Sequence, residues 1–123
     1  MIGYVTLGTN DLPRAAAFYD ALLGECLGAK RLMEFDRGYA WGTSMSAPGL
    51  GVMKPFDGQP ATRGNGCMVA FVVDSRDKVD RMHARALALG GSDEGAPGPR
   101  GEGFYAGYFR DLDGNKLNCF CMS

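Results

Sequence analysis

Histidine is the scarcest reactive group in this chain. Its 123 residues hold a single one, His83, so no site built from two imidazoles can form within one copy. Any Ser-His or Cys-His nucleophile would depend on that residue alone. Excess charge of one sign is also lacking: 13 Lys and Arg stand against 14 Asp and Glu, for a net charge of −1. The signs are interleaved, so no basic face offers itself to a phosphate backbone and nucleic acid is not an expected partner. No apolar run approaches the ~20 residues that span a bilayer, and membranes are excluded with it. The N-terminus reads as a strand and not as a charged-then-apolar export signal, which makes the cytoplasm the expected location. The four cysteines, Cys26, Cys67, Cys119 and Cys121, include no Cys-x2-Cys knuckle and are expected to be reduced thiols that pack as small hydrophobes.

What the chain has in abundance is glycine, 19 in all, which marks frequent tight turns between short elements. Tyr4-Val5-Thr6-Leu7 alternates as a strand. Thr9-Asn10-Asp11 then offers N-cap side chains, Pro13 suits a first helical turn, and Leu12–Leu23 carries an apolar stripe of Ala15, Phe18, Leu22 and Leu23. Gly24 and Gly28 bracket the expected helix end. Strands are expected at Arg31–Phe35, Tyr39–Ser44 and Leu50–Lys54. The order then begins again, with an apolar strand at Cys67–Val73 and a helix capped by Asp74-Ser75 that runs to about Leu89. A short middle strand within Gly91–Glu94, a loop over Glu94–Gly103, and strands at Phe104–Asp111 and Lys116–Met122 complete it. Asp111, Asp113 and Gly114 lie in the tight turn between the last two and read as turn-formers. The chain is therefore expected to be a single α+β domain of two βαβββ modules, about 1–56 and 67–123, joined by a linker over 57–66. The modules would form a curved mixed sheet with helices on the outer face and a concave side left for a ligand.

Three segments carry a family resemblance: Tyr4–Gly24 (YVTLGTNDLPRAAAFYDALLG), Met68–Phe71 with the helix and Gly90-Gly91 behind it, and Phe109–Phe120 (FRDLDGNKLNCF). In this order and spacing they resemble the vicinal oxygen chelate superfamily of glyoxalases, bleomycin- and fosfomycin-resistance proteins and extradiol dioxygenases. That resemblance implies a divalent ion in the concave sheet, held by His, Glu or Gln on strands one, four, five and eight and acting as a Lewis acid. The matching positions here are Tyr4, about Gly51, Met68 and Asn118. None is a strong ligand for a hard or borderline ion near neutral pH, so no cofactor is expected and a divalent metal is disfavoured. His83 falls on the second helix, away from the concave side, and cannot replace them.

Strand parity assigns Tyr4, Thr6 and Gly8 to the ligand face of strand one, with Val5 and Leu7 under the helices. It assigns Met68, Ala70 and Val72 on strand five, Ala106, Tyr108 and Arg110 on strand seven, and Lys116, Asn118 and Phe120 on strand eight. Leu117, Cys119 and Cys121 then belong to the core. Tyr108 also matches a substrate-touching tyrosine of the fosfomycin-resistance proteins. The expected pocket comprises Tyr4, Thr6, Trp41, Met68, Tyr108, Arg110, Asn118 and Phe120, although parity does not say which way the Tyr39/Trp41 face points. Arg100, in a Gly/Pro-rich loop, is a candidate contact for an anionic ligand.

The expected function is a metal-free binding protein for a small aromatic or mixed apolar and polar ligand. The alternative is a lyase or isomerase of the lactoylglutathione lyase type, metal-independent or with an atypical metal site. Tyr4 and Tyr108 are its candidate acid/base groups, and a tyrosine base would need its pKa brought down from about 10. A structural partner without a small ligand is the third reading. The resemblance further implies a homodimer, since members with two modules per chain commonly pair with a second chain.

Overall fold

The computed structural model describes residues 1–123. The order is β1 (Tyr4–Gly8), α1 (Leu12–Leu27), β2 (Lys30–Phe35), β3 (Gly38–Gly42) and β4 (Gly49–Met53), then β5 (Val69–Val72), α2 (Arg76–Ala88), β6 (Ser92–Pro99), β7 (Tyr105–Arg110) and β8 (Lys116–Cys121). The chain divides into two compact units, Met1–Arg63 and Gly64–Ser123, each βαβββ. Each unit holds one four-stranded sheet, in the orders β1-β4-β3-β2 and β5-β8-β7-β6. The first and last strands of each unit pair in parallel, and the other pairings are antiparallel, so both sheets are mixed. This is the α+β repeat that the order of elements implied. No helix is long and apolar enough to cross a membrane.

In unit 1, α1 packs on β2, β3 and β4. Asp11 caps its N-terminus by accepting from the Arg14 N–H, and Pro13 occupies the first turn, where its missing N–H costs nothing. The helix runs four residues beyond its expected end. Gly24 is accommodated inside it, and the left-handed stop falls at Gly28, with φ 66°. Ala15, Phe18, Tyr19, Leu22 and Leu23 form its buried face, matched on the sheet by Trp41, Leu50 and Val52.

In unit 2, Ser75 caps α2, and Val79, Met82, His83 and Ala86 are buried against a sheet face formed by Phe109, Leu117, Cys119 and Cys121. All four cysteines are free thiols, and Cys119 and Cys121 are part of this core. His83 is a packed helix residue: its Nε2 lies 3.0 Å from Asp93 Oδ1 and its ring sits edge-on to Phe109.

The middle strand of unit 2 departs from expectation. β6 extends through Ser92–Pro99, most of it taken from the stretch that reads as a loop. Two glycines and two prolines disguise it. Proline is tolerated because β6 is an edge strand that pairs only with β7, and register shifts at Asp93/Gly95 and Gly95/Gly98 absorb its irregularity. Met68 likewise falls just before β5 and not within it.

Candidate functional site

Each unit has one sheet face under its helix and one free of it. The register defines them. In unit 1, Val5, Leu50 and Trp41 share a row, as do Leu7, Val52 and Tyr39. These rows face α1, although Val5, on the edge strand, remains 40% exposed.

Trp41 is the correction to the expected pocket. It is 1% exposed, its ring lies 5.7 Å from that of Tyr19 on α1, and its indole N–H donates to Asp20 Oδ1 at 2.8 Å. It belongs to the helix-side core and lines no ligand face. The reason lies in α1, which presents both a ring to pack on and a carboxylate to receive the indole N–H.

Asp20 anchors a small network there. Arg31 donates to it through Nε at 3.0 Å and Nη2 at 2.7 Å, while its guanidinium stacks over Tyr39 and reaches Glu34 through Nη1. Burial opposes ionisation of Asp20, but the hydrogen bonds from Arg31 and Trp41 and the Arg31 charge outweigh it and hold the pKa below the ordinary 3.8. The unfolded chain therefore takes up this proton more readily than the folded one. The stabilisation is complete above 3.8 and is lost as pH falls through the lower folded value. We expect wild type to lose Tm between about pH 4 and pH 2 more steeply than Asp20→Asn does, read by circular dichroism melts. Parallel curves for the two proteins would contradict it.

The helix-free face of unit 1 is nearly bare. Gly49, Gly51, Gly42, Ala40 and Gly38 lie on it, with Tyr4, Thr6, Met33, Phe35 and Met53 around them. Tyr4 is 73% exposed. A Cβ on Gly51 would meet Thr6 Cγ2 at 3.2 Å and Met53 Cε at 3.3 Å, so this position has little room for a ligating side chain.

The helix-free face of unit 2 is richer. Ala70, Asn118, Tyr108 and Gly95 form one row, and Val72, Phe120 and Ala106 the next. Arg110 and Lys116 are paired at the end of the β7/β8 ladder. Arg110 is committed elsewhere, to Glu94 and to the Gly114 carbonyl. Phe120 stacks on Phe104, with centroids 5.3 Å apart.

Tyr108 has two cations against its ring, Arg100 at 5.5 Å and Lys116 at 5.7 Å from the centroid. No carboxylate pairs with either cation. Arg100 is held by the carbonyls of Ala96 and Pro99 and lies over β6, where a Cβ on Gly98 would come within 3.0 Å of Nη1. Glycine in β6 makes the space this guanidinium uses. Arg100 thus joins the Tyr108 cluster, which strand parity alone could not place, since the residue lies outside any strand.

Asn118, opposite Tyr108, is 2% exposed, and its Oδ1 is buried with no hydrogen-bond partner. A buried polar group in that state costs roughly 1–3 kcal/mol, so it calls for an explanation.

The turn acids have structural work. Asp111 Oδ1 accepts from the Asp113 and Asn115 N–H groups, and its Oδ2 accepts from the Asn115 side chain. Gly114 takes φ 90° there.

The positions that the resemblance assigns to the family's metal ligands carry a phenol, no side chain, a thioether and an amide: Tyr4 and about Gly51 in unit 1, Met68 and Asn118 in unit 2. No group of three or more His, Cys, Asp or Glu side chains is placed to hold a metal ion. This donor set does not fit a divalent ion.

Two βαβββ units, each with one sheet face covered by a helix and the other free of it, define a protein of the glyoxalase type. The chain belongs to the glyoxalase/bleomycin resistance protein/dioxygenase superfamily, whose family model matches residues 1–119. It is similar to a glyoxalase/bleomycin resistance protein from Albidiferax ferrireducens T118, with 38% identity, 100% of this chain and 99% of that one covered, and a TM-score of 0.91. A family enzyme from Burkholderia phytofirmans PsJN shares the fold at 19% identity and TM-score 0.79, covering 98% of each chain. A lactoylglutathione lyase from Agrobacterium tumefaciens does so at 21% identity and TM-score 0.70, covering 98% of this chain and 92% of that one. No curated protein is detectably similar to this chain.

Proposed function

We propose that this protein binds a small aromatic molecule carrying a hydrogen-bond donor on the helix-free face of unit 2, without a metal ion. The observation that supports it is the buried, unpartnered Oδ1 of Asn118 opposite Tyr108. Once the side chains over it shift, a ligand hydroxyl or amine satisfies that acceptor, which is closed to solvent without a ligand, while its ring lies among Tyr108, Phe120 and Phe104. Arg100 and Lys116 favour an electron-rich or anionic edge on the same molecule.

The lyase reading has less support. Its metal-dependent form needs donors that Tyr4, Gly51, Met68 and Asn118 do not supply, and the lyase neighbour, at 21% identity, speaks only for the fold. Phenol is the first probe, with toluene as the ring without a donor. Residue-resolved NMR titration of the full chain is expected to show saturable phenol shifts at Tyr108, Asn118 and Phe120, a weaker toluene response, and no change after dialysis against EDTA. Absence of saturable shifts, or their loss with EDTA, would overturn the proposal.

We propose a second copy of the chain as the partner. Apolar groups are exposed on both units, among them Tyr4, Met33, Phe35, Met68 and Val72, and β1 and β5 end their sheets with unpaired edges. Sedimentation velocity is expected to give twice the mass of one chain at micromolar concentration. A single species of monomer mass would refute the assignment.

A further inference from the structure

The geometry points to a second ligand site, contained in unit 1 and sharing no residue with the Tyr108 cluster, that takes a small aromatic carboxylate. A cavity of about 430 Å³ opens where the chain leaves β4, lined by Thr9, Arg37, Lys54, Pro55, Phe56 and Gln59 among others. That volume is within the range of small-molecule sites, which runs from about 300 to 1,000 Å³.

Its walls are fixed before any ligand arrives. Asn10 clasps Ala61, donating to its carbonyl at 3.0 Å and accepting from its N–H at 2.6 Å, which closes the far end of the loop. Pro55 to Gly58 forms a hydrogen-bonded turn with Gly58 at φ 75°. Arg37 Nη1 donates to the Lys54 carbonyl at 2.8 Å, and its guanidinium stands 5.1 Å from the centre of the Phe56 ring. Phe56 is 89% exposed, so its ring face is open to a ligand.

The charge is one-sided. Neither Arg37 nor Lys54 is paired with a carboxylate, and no acid lines the cavity. The nearest acids in sequence are otherwise placed. Asp11 caps α1 and faces Arg14, Asp57 accepts from the Gln59 N–H, and Asp36 lies in the β2–β3 turn outside the lining. A carboxylate would meet the Arg37 fork and the Lys54 ammonium, the Gln59 amide would donate at the rim, and an attached ring would lie on Phe56. These flanking acids would disfavour a polyanion.

Benzoate is the probe, benzamide its neutral isostere and inorganic phosphate the anion without a ring, each titrated into the full chain at constant ionic strength by residue-resolved NMR. Benzoate is expected to give saturable shifts at Arg37, Lys54, Phe56 and Gln59. Benzamide should bind about tenfold more weakly, and Lys54→Met should weaken benzoate by about tenfold. The Lys54 side chain is exposed and makes no hydrogen bond or ion pair, so that variant reads binding more than folding. Equal binding of benzamide, no response to Lys54→Met, phosphate binding as tightly as benzoate, or shifts confined to Tyr108 and Asn118 would each overturn the inference. None of these results bears on phenol at the Tyr108 cluster, which reports on that reading separately.

Discussion

Trp41→Ala is expected to cost the fold about 3–5 kcal/mol, the range for removing a large buried aromatic. Trp41 is the largest fully buried side chain, packed against Tyr19 and Tyr39 and tied to Asp20 by its indole N–H. The substitution leaves a void in a close-packed layer and takes one hydrogen bond from Asp20, whose remaining support is Arg31. Thermal melts should show Tm falling by roughly 10–20 °C. Trp41→Phe should cost less, since a ring remains and only the indole hydrogen bond and part of the volume are lost. A Trp41→Ala loss under about 1 kcal/mol would mean that the residue lines an open face after all. Phenol titration of whatever remains folded should be unaffected, because Trp41 belongs to the helix-covered face of unit 1.

Asn118→Leu is expected to act in opposite directions on stability and binding. Leucine has similar volume and removes the unpaired Oδ1 from an environment that excludes water. The fold should gain about 1–2 kcal/mol, or roughly 3–6 °C in Tm. Phenol should lose its partner and bind about tenfold more weakly. A site that holds a buried polar group at a cost to stability follows the usual trade between stability and function. If Asn118→Leu destabilises the protein, or if phenol binding is unchanged, the amide has a structural role and the ligand reading fails.

The two faces of the sheets were legible to different degrees. On β8 Lys116 and Asn118 alternate with apolar residues, so that Leu117, Cys119 and Cys121 could be assigned to the core and Lys116, Asn118 and Phe120 to the other side, and the burial pattern agrees for Leu117, Cys119 and Cys121. On β3 the sequence Gly-Tyr-Ala-Trp-Gly alternates as cleanly, yet aromatic residues suit a ligand cavity as well as a core. Only the arrival of α1 with Tyr19 and Asp20 decides between them. β6 was hidden because its glycines and prolines carry turn signals, while its strand character depends on pairing with β7. The cavity beside Arg37 was not legible at all. Thr9, Arg37 and Lys54 are far apart in the chain and are gathered only by the way β1, β3 and β4 end together.

Local pattern alone determined the order of elements, the repeat of one βαβββ plan and the family. These follow from side-chain periodicity, capping and residue chemistry, which act over a few positions of the chain. Tertiary structure decided that Trp41 is core, that Arg100 lies over β6 beside Tyr108, and that Asn118 is buried with an unpaired oxygen. Those outcomes depend on which groups meet across long sequence separations, where packing and hydrogen-bond satisfaction govern and local propensity carries no information.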